Sequence, residues 1–172
     1  VPALLTLEGR NPAYSVGPPA PRDPFGRGRA ALDLVLRVDP DDDGARLWRA
    51  MLHADEGRKD EALADLRALA VRHAESRVVP ELVTRLAARD LSPGGTWQRS
   101  IADGMEPAPT AFDAFATAYL AMRAARYDDA RRFLDDALGR DPTYEPALDL
   151  VMISRLLTGE LAAALDAAVR LE

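Results

Sequence analysis

The sequence predicts an all-α protein, a solenoid of antiparallel helix pairs with about nine helices in all. Three observations predict it. Asp-Pro occurs at Asp39-Pro40 and again at Asp141-Pro142, 102 residues apart, which is three times 34. Ala62, Thr96, Ala130 and Ala164 keep the interval of 34, as do Ala50, Thr84 and Ala118. Hydrophobic residues make up 48% of the chain and aromatics only 6%, with alanine and leucine dominant, which suits helices that approach closely through small side chains. A unit of about 34 residues is the length of a helix-turn-helix repeat that cannot bury its apolar face alone and must stack on neighbours.

Taken in chain order, residues 1–24 are set apart by Pro2, Pro12, Pro18, Pro19, Pro21 and Pro24, which remove donors and lock φ, so an extended arm is expected. Two readings of the arm stand: a linker of polyproline character, or a segment pinned onto the solenoid by Leu4, Leu5, Tyr14 and Phe25. The solenoid is expected over 25–172. Ala31, Leu32, Val35, Leu36 and Val38 form an apolar stripe that stops at Asp39-Pro40, the second helix of a unit whose first is replaced by the arm.

The first complete unit spans 43–76. Its first helix carries Leu47, Ala50, Met51 and Ala54 and breaks at Gly57, and its second carries Ala62, Leu63, Leu66, Leu69 and Ala70. The second unit, 77–110, opens with a helix over 78–88 that has Pro80 in its first turn. Its second half is irregular, with a loop at 91–95, a short helix over about 96–103, and Pro107 and Pro109 after it. The third unit, 111–144, is the most regular: Thr110 with Asp113 has the form of a capping box, and Tyr127-Asp128-Asp129-Ala130 opens the second helix. The fourth, 145–172, turns at Gly159.

Composition narrows the functional classes. A net charge of −6 lacks the basic excess that supplies most affinity for a phosphate backbone, so no nucleic acid partner is expected. Lys59 is the lone lysine beside 21 arginines, a bias that fits a GC-rich bacterial genome. Cysteine is absent, which leaves no thiol nucleophile or thiolate metal site, and the compartment, cytoplasm or periplasm, stays open. No apolar run approaches the 18 or so residues of a membrane span, so no direct membrane insertion is expected.

No catalytic, cofactor or metal site is predicted. His53 and His73 lie 20 residues apart in different helices and read as surface or helix-end residues. His73 with Glu75 and Ser76 lacks the geometry of a nucleophile set, because neighbours at one helix end rarely converge. The carboxylates at Asp41-Asp42-Asp43, Asp128-Asp129 and Asp135-Asp136 read as helix-start and outward charges. Gly26-Arg27-Gly28 lacks the strand and third glycine of a nucleotide loop.

The repeat resembles the tetratricopeptide repeat family. That pattern has a small residue at the eighth place of the unit, glycine near the fifteenth, alanine at the twentieth and twenty-seventh, and proline at the thirty-second. Ala118, Ala130, Ala137 and Pro142 fit it in the third unit, Ala50, Gly57 and Ala62 in the first, and Gly159 and Ala164 in the fourth. Departures are Met152 at a small-residue place and Ser100 and Asp103 at apolar ones.

The resemblance implies a right-handed superhelix whose first helices line a concave groove for a partner segment. Carried onto this chain, the groove holds Met51, Arg85, Arg89, Phe115, Tyr119, Met122, Arg123 and Ile153. The lysine and asparagine clamp of the chaperone-adaptor subclass is missing, since Leu47, Met51, Glu81, Arg85, Phe115 and Tyr119 stand there. The function implied is a noncatalytic scaffold that binds a protein segment, an acidic or aromatic one, in a larger bacterial assembly. An alternative is the regulatory or substrate-recruiting region of a longer multidomain enzyme, with which Val1 and the short last unit agree. A third is self-association through the uncapped last helix, along Leu161, Leu165, Ala168 and Leu171.

Overall fold

The computed structural model describes residues 26–89, 91 and 110–157, and every regular element among them is a helix. There are seven: α1 (Gly26–Val38), α2 (Asp43–Asp55), α3 (Lys59–Arg72), α4 (Val78–Ala87), α5 (Ala111–Arg123), α6 (Tyr127–Arg140) and α7 (Glu145–Leu157). The arm over 1–24, the short helix expected near 96–103 and the helix expected after Gly159 lie outside the described residues.

The interval of 34 is carried by the backbone as well as by the sequence. Asp42 caps α2 by accepting the Ala45 N–H at 2.7 Å, and 68 residues on, twice 34, Thr110 caps α5 by accepting the Asp113 N–H at 3.0 Å. Both caps satisfy a donor that the first turn of a helix leaves orphaned. The first helices α2 and α5 are each 13 residues long, and the second helices α3 and α6 are each 14.

Helices α2 and α5 close with the same pair of bonds. After α2 the Gly57 N–H donates to Ala54 O at 3.1 Å and the Arg58 N–H to His53 O at 2.8 Å; after α5 the Ala125 N–H donates to Met122 O and the Arg126 N–H to Ala121 O, both at 2.9 Å. This is a Schellman closure, which needs a left-handed residue at its corner. Gly57 supplies φ 75° without strain, whereas Ala125 is held at φ 59°. Ala125→Gly is therefore expected to raise unfolding free energy by about 0.5–1 kcal/mol, read as a higher urea midpoint at unchanged slope.

The capping box expected at Thr110 and Asp113 is only half made. Thr110 accepts from Asp113, but the Asp113 carboxylate turns to α4, where it takes the Ser76 hydroxyl and the N–H groups of Arg77 and Val78 at 3.3 and 3.4 Å. Ser76 Oγ in turn accepts the Val79 N–H at 3.2 Å. A residue of the third unit thus satisfies the start of the second unit's helix. At the other end of α4, the Lys59 ammonium donates to the carbonyls of Ala87 and Arg89.

Helices adjacent in the chain pack on one another, and α5 also packs on α7. The small residues set the spacing: Ala50, Ala62, Ala118, Ala130 and Ala137 have no exposed surface. They allow backbones to approach within the roughly 8–10 Å of close-packed pairs. Leu47, Met51, Leu66, Leu82, Phe115, Leu120 and Leu150 fill one continuous core between them. The stripe expected on α1 is the exception. Only Leu36 of it is buried, while Val35 and Val38 are 39% and 81% exposed, because α1 has α2 as its principal neighbour.

Arg49 ties α1, α2 and α3 together. Its guanidinium meets both oxygens of the buried Asp65 at 2.7 and 2.9 Å, and Asp33 at 2.9 Å. The hydrogen bonds it donates to Asp65 hold its pKa above the ordinary arginine range despite partial burial.

Candidate functional site

The helices expected to line a groove do not leave all of the predicted side chains open. Met51 on α2 and Phe115 on α5 have no exposed surface, so in this conformation they are core residues rather than groove contacts. The reason is that α2 and α5 meet through their side chains. Trp48 and Tyr119 lie with ring centroids 6.1 Å apart, and Arg123 Nη2 donates to Asp55 Oδ1 and Oδ2 at 2.7 and 2.6 Å across 68 residues of chain. Phe115 packs edge-on against Tyr144 at 5.7 Å and tilted against Phe112 at 6.4 Å.

Tyr119 and Arg123 lie side by side on α5, with Tyr119 partly buried against the core. Arg123 stands 5.8 Å from the centre of the Tyr119 ring. Burial pushes the Tyr119 hydroxyl pKa up; for Arg123 burial works against the charge, yet Tyr119 and Asp55 outweigh it and its pKa rises. Met122 is half-buried against the core, and Ile153 on α7 is half-buried. Arg85 and Arg89 belong to the end of α4, away from this cluster in the chain, with Arg85 paired to Glu81 one turn earlier at 2.6 Å.

Of the histidines, His73 closes α3 and is fixed on two sides. Its Nε2 lies 2.6 Å from Asp43 Oδ2, and its ring stacks on Phe112 with centroids 3.8 Å apart. His53 is near the end of α2 as expected but buried rather than on the surface. Burial, followed by the nearby Arg58 charge, pushes its pKa down. A lowered histidine pKa means that stability is fully present above the unfolded value of about 6.5 and is lost as pH falls towards the folded one. His53→Gln is expected to flatten the fall in thermal midpoint between pH 7.5 and 5.0.

A cleft of about 420 Å³ opens between the start of α2 and the start of α7. Leu32 and Val35 of α1 and Trp48 of α2 form one wall, and Tyr144 and Pro146 the other. Both Asp-Pro turns converge here, since Asp39 and Asp141 line the same cleft. Gly44 makes the approach of α2 to α7 possible: a Cβ there would stand 3.1 Å from Pro146 Cβ and 3.3 Å from Asp42 Oδ1. The indole Nε1 of Trp48 and the hydroxyl of Tyr144 are both buried without a hydrogen-bond partner.

The cleft is acidic throughout. Asp41 and Asp43 lie against Arg72. Asp39, Asp42, Asp141, Glu145 and Asp149 have no basic partner among the described residues, and no basic residue lines the cleft among them. Burial, and then the charges of Asp42 and Glu145, push the Asp149 pKa up. The Tyr144 hydroxyl is pushed well above its ordinary range by burial and by Asp43, Asp42 and Asp141.

No family model matches the chain, and neither a curated protein nor a solved structure matches it.

The sequence reading did not single out Trp48, Tyr144 or Asp149. Periodicity gives the place of a residue within its unit but not which units touch, and the meeting of units one and four is the fact that makes the cleft. The available signal was the pair of Asp-Pro turns, used only as a ruler.

Proposed function

We propose that this chain is a noncatalytic protein-binding scaffold, a tetratricopeptide-like stack of helical hairpins, and that it receives a partner segment in the cleft between the α1–α2 turn and the α6–α7 turn. The observation that carries the reading is the convergence of the two Asp-Pro turns on one open cleft with aromatic walls. Its volume falls in the range of about 300–1,000 Å³ usual for ligand clefts, and Trp and Tyr are the side chains that anchor segments most economically. Among the predicted groove residues, Met51, Phe115, Tyr119 and Arg123 then serve as the frame that holds α2 and α5 together.

The test is selection of twelve-residue peptides from a random displayed library, followed by mapping of amide shifts in the labelled chain. Winning peptides are expected to move the amides of 39–48 and 141–149, and to lose binding to Thr143→Arg, which crowds the exposed rim. Shifts confined to α4, or binding indifferent to that substitution, would remove the cleft as the working surface.

A further inference from the structure

We infer that the segment the cleft accepts is cationic, an extended stretch of partner protein that presents arginine or lysine side chains to Asp39, Asp42, Asp141, Glu145 and Asp149. The inference rests on the reading of the cleft as the binding surface and adds the chemistry of what fills it.

Three observations lead to it. Five carboxylates without a basic partner among the described residues face one space of about 420 Å³, and no basic side chain among them lines it. Carboxylates gathered in one cleft raise the cost of charging one another; Asp149 is pushed up first by burial and then by Asp42 and Glu145, and a bound cation relieves the like-charge part of that cost. Charge complementarity of this kind sets both the choice of partner and the rate of encounter.

The form of the cation follows from the spread of the acids and the walls of the cleft. Among the described residues no three carboxylate or histidine side chains stand close enough to hold one metal ion, so the charge is distributed along the cleft rather than focused at a point. The distribution fits several positive side chains on a chain. Trp48 and Tyr144 present their ring surfaces to the cleft lining, and a chain of side chains along it can cover them. The apolar wall of Leu32 and Val35 beside the two aromatic residues suits the aliphatic stems and planar head of arginine.

The experiment uses the whole chain and three labelled ten-residue peptides that differ only in having three arginines, three serines or three glutamates at the same places. Binding is read by fluorescence anisotropy at low and moderate salt, with amide-shift mapping of each complex. The second protein is the triple substitution Asp141→Asn, Glu145→Gln and Asp149→Asn, checked by circular dichroism and melting. The variant is expected to stay folded, since Asp141→Asn keeps an amide oxygen that still accepts the Thr143 N–H and hydroxyl and mutual repulsion is removed.

The arginine peptide is expected to bind, to weaken with salt, to shift the amides of 39–48 and 141–149, and to lose about tenfold in affinity for the triple variant. If the serine or glutamate peptide shifts the same amides equally well, the cleft stands as the surface and the cationic partner is overturned. An arginine peptide that binds the triple variant unchanged, or shifts other amides, also overturns it. Failure of all three peptides to move any cleft amide overturns both readings. Spermine shifting the cleft amides where the arginine peptide shifts none would assign the cleft to a small polyamine, and low-salt dimerisation abolished by the triple substitution would assign it to a second copy; each result overturns the proposal.

Discussion

Asp113→Ala is expected to lower the unfolding free energy by about 3–5 kcal/mol, the range for breaking a buried, charge-assisted network by removing one partner. The carboxylate has no exposed surface and receives one hydroxyl and two backbone N–H groups from the segment that begins α4. Alanine leaves those donors in an interior that water does not reach. It also frees the start of α4 from α5, so the loss is expected to appear as faster amide exchange at 77–80 as well as a lower urea midpoint. Asp113→Asn keeps the shape and one acceptor oxygen, and is expected to recover part of the stability. Equal loss in both variants would show that charge, rather than the count of acceptors, holds the joint.

Ala130→Arg is expected to cost as much or more, about 4 kcal/mol, because it forces a long side chain into a crossing that has no spare volume and buries a charge with it. Ala130 is fully buried on α6, the helix packed most closely on α5. Nearby positions give the contrast within one helix. Arg132 is 74% exposed through its side chain and is expected to accept alanine with a change within about 0.5 kcal/mol. A melting point for Ala130→Arg equal to that of the parent would remove Ala130 from the α5–α6 crossing.

Much of the fold was legible because its signals are local. Small residues at fixed intervals, a glycine where a helix must turn left-handed and a proline after an aspartate each act within a few residues, and α1 and α6 end before Asp39-Pro40 and Asp141-Pro142 and α2 before Gly57, where those signals place them. The correspondence of Asp42 with Thr110, and of Gly57 with Ala125, follows from the same interval. The candidate site was less legible because it depends on contacts that no local rule specifies. Nothing about Asp55 or Arg123 within its own helix announces a bidentate pair 68 residues apart, and Asp113 was read as serving its own helix when it serves another. Tyr119 is expected in a groove from its place in the unit, and the structure has it partly buried beside Trp48, a contact that comes from another helix and not from its own.

The capping of α4 by Lys59 gives the molecule a peculiar chemical handle. Because this chain has no other lysine, a reagent that acylates side-chain amines meets the folded protein at one nitrogen, and that nitrogen is occupied by two carbonyls from the following unit. Its reactivity is therefore a gauge of how often the joint between the first and second hairpins comes apart, and attaching a bulky acyl group there acts as a wedge driven into that joint alone.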